Sequence, residues 1–286
     1  MRHRFIAGSV ALAGLVVFAP AVFAQTVPQL NTARSAQQPI PCVNEWKLPN
    51  GCDMARVLPK TVNPKDLTGV WSRSKGGANM NEQVGLNAEG QKRLAMNKPS
   101  YGPRAVIPAL GNDPMGTCDP LGLTRNLFLE VGGRSFEFVH LPDRILQFFE
   151  WQHQYRTIWT DGRKLPEGAP PRWMGYSVGR WEGDTLVIDT INMDERTWLD
   201  MWGQPHTEEA RYEERYRRVS PTNIEFTLKI TDPVLHAKPF VSDTKVLALH
   251  HEKGMDEKLE TFCVPTEEQR FNETIRNPAG GINVPK

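Results

Sequence analysis

From Ser135 onward the chain is a succession of short segments in which apolar and polar residues alternate, separated at close intervals by Pro, Gly, Asn and Asp. Alternation with a period of two puts one row of side chains on each face of a strand, so the pattern restricts this part of the chain to β-sheet joined by tight turns. Residues 135–140 run to the turn Leu141-Pro142-Asp143-Arg144, and 145–159 follow as one strand, ending at Thr160-Asp161-Gly162-Arg163. Residues 176–181 and 185–191 flank Glu182-Gly183-Asp184, with Gly where a positive φ is needed. Ser220-Pro221-Thr222-Asn223 joins 212–219 to 224–230, and 245–251 and 258–264 turn near Lys253-Gly254-Met255-Asp256. One helix is expected at 87–96, where Asn87 caps the amino end and Pro99 stops it; from 101 to 123 Pro and Gly recur too often for regular structure. Consecutive antiparallel hairpins with a single helix predict a mainly β fold, an antiparallel up-and-down (calycin-like) barrel or a strongly curved sheet. There is no internal repeat of fixed period, which argues against a propeller.

The first residues read as a cleavable signal peptide. Met1-Arg2-His3-Arg4 supplies a positive start, an apolar run follows, and Val22-Phe23-Ala24 offers a small-residue cleavage site before Gln25. The expected organisation is therefore a leader at 1–24, an irregular Pro-rich arm at 25–65, a β-barrel domain at 66–265 and a tail at 266–286, in a periplasmic or secreted protein. No later stretch has the roughly 20 apolar residues of a membrane span. Without Arg2 and Arg4 the chain is close to neutral, so neither nucleic acid nor an acidic membrane surface is implied as partner.

All four cysteines follow the leader, an even number in an oxidising compartment. Of three pairings, Cys42–Cys52 with Cys118–Cys263 is preferred: the first closes a short loop, the second ties a mid-chain loop to the last strand. Zinc binding by four thiolates would require C-x2-C spacing, which is missing. No metal and no cofactor are expected, because the histidines lack H-E-x-x-H or H-x-H spacing, Gly132-Gly133 and Gly76-Gly77 lack the Lys and helix start of a phosphate loop, and no G-x-S-x-G nucleophile elbow occurs.

Six of the eight tryptophans fall between Trp151 and Trp202. In the stretch Glu150 to Arg163, a continuous strand would place Trp151, His153, Tyr155 and Trp159 on one face and Glu150, Gln152, Gln154 and Arg156 on the other. The aromatic row suits the lumen of a barrel, as an apolar pocket with one imidazole; its alternative is plain core. The polar row is either a polar lumen, where buried carboxylates could do acid–base work, or a solvated outer face. The long connection at 192–206 offers Asp194, Asp200 and His206 as acid, base and orienting groups, with Trp198 and Trp202 four apart; it reads equally as a lid over a site or as a plug at the barrel end.

Gly69-Val70-Trp71 at the start of the strand series resembles the first motif of lipocalins and other calycin-type barrels, in which the Trp closes one end of the barrel. Three blocks, at 150–163, at 175–190, and Arg196-Thr197-Trp198-Leu199-Asp200 leading to Pro205-His206-Thr207-Glu208, resemble a group of exported, uncharacterised bacterial proteins over roughly residues 66–265. That resemblance implies no particular activity.

Three functions follow from these residues. The first is a periplasmic protein whose barrel binds a partly apolar or aromatic small molecule through Trp151, Tyr155, Arg156, Trp159, Trp198 and Trp202. The second is a cofactor-independent lyase, hydratase or isomerase using His153 or His206 with Glu150, Asp161, Asp194 or Asp200. The third is a structural or interaction protein of the envelope.

Overall fold

The computed structural model describes residues 61–75, 84–128, 135–250, 258 and 261–281. The leader, nearly all of the arm with Cys42 and Cys52, and the turn expected at 253–256 lie outside these residues. The strands are β1 (Gly69–Lys75), β2 (Ser135–His140), β3 (Arg144–Phe149), β4 (Tyr155–Trp159), β5 (Tyr176–Glu182), β6 (Thr185–Ile191), β7 (Arg211–Ser220), β8 (Asn223–Thr231), β9 (Phe240–Val241) and β10 (Lys245–Leu249). From β1 to β8 each strand lies beside the next, and β10 pairs with both β8 and β1. A mainly β, closed barrel of nine strands results, with β9 as an extra strand on the far half of β8.

Strand direction cannot alternate all the way round a ring of nine. One parallel neighbour pair is obligatory, and it falls between β4 and β5. The expectation of antiparallel hairpins throughout is corrected there, while β5–β6 and β7–β8 are the hairpins read from the sequence. A parallel step needs a connection that returns along the full length of the strand, and residues 160–175 provide it. The seam it joins is thin, with only Ile158↔Ser177 and Trp159↔Val178 in register, against seven partner pairs between β5 and β6.

Residues 145–159 are two strands, not one. The chain turns at 150–154, where Gln152 and His153 take left-handed φ values of 53° and 50°. The turn shifts the alternation by one residue. In β3 the buried positions are Ile145, Gln147 and Phe149; in β4 they are Arg156 and Ile158, so Tyr155 and Trp159 face outward. The aromatic lumen expected from a continuous strand is therefore overturned. Residues 261–264 likewise form no hairpin with β10: Thr261 makes an isolated parallel bridge to Trp151, and Cys263 is disulfide-bonded to Cys118, with Cα atoms 5.4 Å apart.

Inside the ring, Phe136, Phe138, Phe149, Ile158, Leu186, Ile188, Tyr216, Phe226 and Leu247 form a packed apolar core. One end is closed by Trp71, fully buried, whose indole N–H donates to the Leu67 carbonyl at 2.8 Å. Arg218 lies 5.3 Å from the Trp71 ring and donates to the carbonyls of Asp66 and Pro221. The opposite end is plugged by a helix the sequence reading missed, α2 (Gly122–Leu127), buried along its whole length, and by the 192–206 connection with buried Trp198 and Leu199. The expected helix is α1 (Ala88–Met96), where the Asn87 side chain accepts from the Gly90 N–H at 2.9 Å. A further helix, α3 (Pro265–Phe271), begins with Pro at its first position, where the missing N–H costs nothing.

A polar belt crosses the apolar interior behind the thin seam. Arg156 donates two hydrogen bonds to Glu214, at 2.7 and 2.6 Å, and a third from Nε to Gln147 at 2.8 Å. Tyr216 donates to Glu214 at 2.8 Å, and Ser177 and Thr190 pair across β5 and β6 at 2.8 Å. Both members of the ion pair are shut off from solvent, so each depends on the other for charge compensation. Arg156→Met alone is expected to cost about 3–5 kcal/mol of unfolding free energy in urea titration, because it strands a buried carboxylate. The double variant Arg156→Met/Glu214→Leu should regain a large part of that loss. Equal losses in the two would show that charge compensation is not what the pair contributes.

Candidate functional site

The 160–175 connection cannot lie flat on the sheet. It carries Pro166, Pro170 and Pro171, and Gly162, Gly168 and Gly175 with φ of 83°, 62° and 61°. At Gly175 a Cβ would sit 2.5 Å from the Ile191 carbonyl oxygen, so the close approach to β6 that starts β5 requires glycine. The connection arches over the outer face of the β4–β5 seam and leaves a cleft of about 880 Å³ between itself and the sheet.

The cleft is walled by outward-facing β4 residues, by the connection and by the start of β5. Aromatic rings come from Tyr155, Trp159, Trp173 and Tyr176; Arg156 and Ser177, from the interior belt, reach it where the strands part. Several rings are already stacked by guanidinium groups: Arg163 and Arg144 on Trp159, 3.3 and 3.9 Å from the ring centre; Arg172 on Tyr176 at 4.3 Å; Arg196 on Trp173 at 4.1 Å. These contacts hold flat surfaces in place before anything binds. A half-open cleft with such walls can hold a planar, partly apolar molecule; it has no pair of facing carboxylates and no activated nucleophile.

Four of the residues singled out in the sequence, His153, Tyr155, Arg156 and Trp159, line this one cleft. His153 stands exposed at its rim, stacked on Phe262 at 4.4 Å. Trp151, Trp198 and Trp202 do not line it. Trp151 bridges to Thr261, Trp198 is buried in the plug 6.0 Å from Arg125, and the Trp202 ring lies so close to Gly102 that a Cβ there would sit 2.3 Å away.

The acidic candidates are scattered and each is held locally. Glu150 accepts from the Ser135 N–H and hydroxyl, both at 3.0 Å, at the start of β2. Asp161 pairs with Arg163 in an exposed turn, and that guanidinium holds its carboxyl down at about 2. Asp194 is lowered by its hydrogen bonds from Arg196. Asp200 is raised by burial and uses one oxygen to cap the Trp202 and Gln204 N–H groups, at 3.0 and 3.1 Å.

His206 is buried in the plug. Its Nδ1–H donates to the Thr207 carbonyl at 3.1 Å, and its Nε2 lies 2.8 Å from the Thr197 hydroxyl, which is also 2.9 Å from the Asp194 carbonyl. The 192–206 segment thus behaves as a structural plug. Sequence reasoning missed Lys164, Arg172, Trp173 and Tyr176; the signal for them was the cluster of Pro and Gly between two strands, too long for a hairpin. Among the described residues no group of three or more His, Cys, Asp or Glu side chains is arranged to hold a metal, and no helix is long and apolar enough to cross a membrane.

Compared with family models, with curated proteins and with solved structures, the chain matches none.

The buried imidazoles give the fold a pH dependence. Burial pushes His206 below its ordinary value of 6.5, and does the same to His140 and His236. Each is neutral in the fold and takes up a proton on unfolding, so the stability tied to neutrality is complete above 6.5 and is lost as pH falls through the lowered folded values. Urea midpoints should decline from about pH 7 to about pH 5, with a shallower decline in His206→Gln. An unchanged slope in that variant would remove His206 from the account.

Proposed function

We propose that this is an exported small-molecule-binding barrel whose site is the cleft over the β4–β5 seam, taking a partly apolar, planar ligand. The observation that carries this reading is the position of the cleft at the parallel seam of a nine-stranded ring, walled by four aromatic side chains, three of which have a guanidinium over the ring. A volume of about 880 Å³ lies within the range of small-molecule sites, and aromatic walls with a few polar groups are their usual lining. The Cys118–Cys263 disulfide supports an oxidising, extracytoplasmic setting, in keeping with the leader read at residues 1–24. The Gly69-Val70-Trp71 resemblance, together with the burial of Trp71 and its hydrogen bond to the Leu67 carbonyl, supports a calycin-like ligand carrier. An acid–base enzyme draws less support, because the candidate carboxylates are each engaged away from His153.

Titration with a neutral polyaromatic amine such as phenylnaphthylamine should quench tryptophan emission with a Kd of roughly 1–100 μM. Tyr176→Ala should weaken binding about tenfold, and Trp202→Phe, in the plug, should leave it unchanged. Binding that survives Tyr176→Ala but is lost in Trp202→Phe would move the site to the 192–206 segment and end this proposal.

A further inference from the structure

The charge on the cleft is as distinctive as its rings. Four cationic side chains line it, Arg156, Arg163, Lys164 and Arg172, and no Asp or Glu does. Two of the four are already matched: Arg156 by buried Glu214 at 2.6 Å, and Arg163 by Asp161 at 2.6 Å. Neither Lys164 nor Arg172 has a carboxylate partner among the described residues; the Arg172 guanidinium lies 4.3 Å from the centre of the Tyr176 ring. Among the described residues, two positive charges without a carboxylate partner therefore stand on the wall of this cleft, in a chain that is near neutral as a whole.

Several cations on the barrel's outer face, by contrast, have acidic partners. On the outer faces of β5 to β8, Arg180 meets Glu182 and Asp189, Arg215 meets Glu182 and Glu213, and Arg217 meets Glu225. These neighbours of opposite sign, some on one strand and some across strands, cancel locally, as is usual on a solvated sheet. At Lys164 and Arg172 that cancellation is missing among the described residues. Partly enclosed walls of low dielectric concentrate the field of unmatched charges, so the excess is felt most by a molecule seated between the rings.

We propose that the ligand of this cleft is an organic anion, a carboxylate, sulfonate or phosphate joined to a planar apolar body, with the rings of Tyr155, Trp173 and Tyr176 taking the body and Lys164 and Arg172 the charge. This rests on the binding reading above and adds to it the sign of the ligand's charge. The guanidinium of Arg172 offers paired N–H donors suited to an oxyanion, and Lys164 a mobile point charge. Both are at the solvent-exposed wall, so their pull is screened by salt.

The test is a matched pair of fluorescent probes on the full-length exported protein: anilinonaphthalene sulfonate and phenylnaphthylamine, the same aromatic amine with and without an anion. At low ionic strength the sulfonate should bind about tenfold more tightly than the neutral amine, and the gap should close as salt is raised. Lys164→Gln/Arg172→Gln should erase that gap, bringing the sulfonate to the affinity that the neutral amine shows in the same variant. Thr157→Trp, which fills the cleft from β4, should abolish binding of both, with the native circular dichroism spectrum as the check on folding. Equal affinity for the two probes, or a gap that persists in the double variant, overturns the anion proposal and leaves the binding reading standing. Failure of both probes to bind, or binding unaffected by Thr157→Trp, overturns the binding reading as well.

Discussion

A closed ring with an odd number of strands must contain a parallel pair, and much of this molecule's anatomy follows from where that pair sits. Between β4 and β5 the chain cannot turn back on itself, so it crosses over through sixteen residues, 160–175, that run the length of the barrel outside the sheet. Only two residue pairs then hold the seam, and the strands part above and below them. The cleft is a consequence of that geometry: an arching connection on one side, splayed strands on the other.

A thin seam in a sheet exposes backbone groups and invites solvent into the core. In this barrel the weakness is backed from within by the Arg156–Glu214 pair with Gln147, Tyr216, Ser177 and Thr190, a belt drawn from five successive strands, β3 to β7. Burial alone would push Arg156 toward losing its proton, and Glu214 beside it more than offsets that, keeping the guanidinium charged. Replacing such a belt with apolar side chains need not weaken a core. Its physical distinction is direction: five strands must stand in one register for these hydrogen bonds to form, including the two that the seam holds loosely.

The ends of the barrel are handled differently. Trp71 and Arg218 close one end with a single ring and a set of carbonyl contacts, whereas α2 and the 192–206 connection fill the other with bulk. Buried Arg125 and Asp113, paired at 2.7 Å, anchor that plug. The disulfide from Cys118 to Cys263 then ties the plug's approach to the segment after β10. With both ends shut and the interior packed, the cleft lies on the side wall.

Much of the barrel was legible in the amino-acid sequence. The alternation of β7 and β8, the Gly183 turn, the Asn87 cap and the Cys118–Cys263 pair all depend on neighbours close in sequence or on the chemistry of a residue type, and the structure repeats them. The exchange of faces within 145–159 was not legible, because Gln152 and His153 adopt left-handed backbone without the glycine that would announce it. Nor could local pattern show that β4 meets β5 in parallel, since alternation fixes which side chains share a face and says nothing of which strand lies alongside. Sequence by itself determined that this chain forms a mainly β fold, a barrel or a strongly curved sheet, rich in rings and charges near residue 155. Tertiary structure alone decided that Arg156 faces in while Tyr155 and Trp159 face out, and that residues as distant as His153 and Val178 share one cleft. The reason is physical: strand parity and closure are properties of the whole ring, and no single segment carries them.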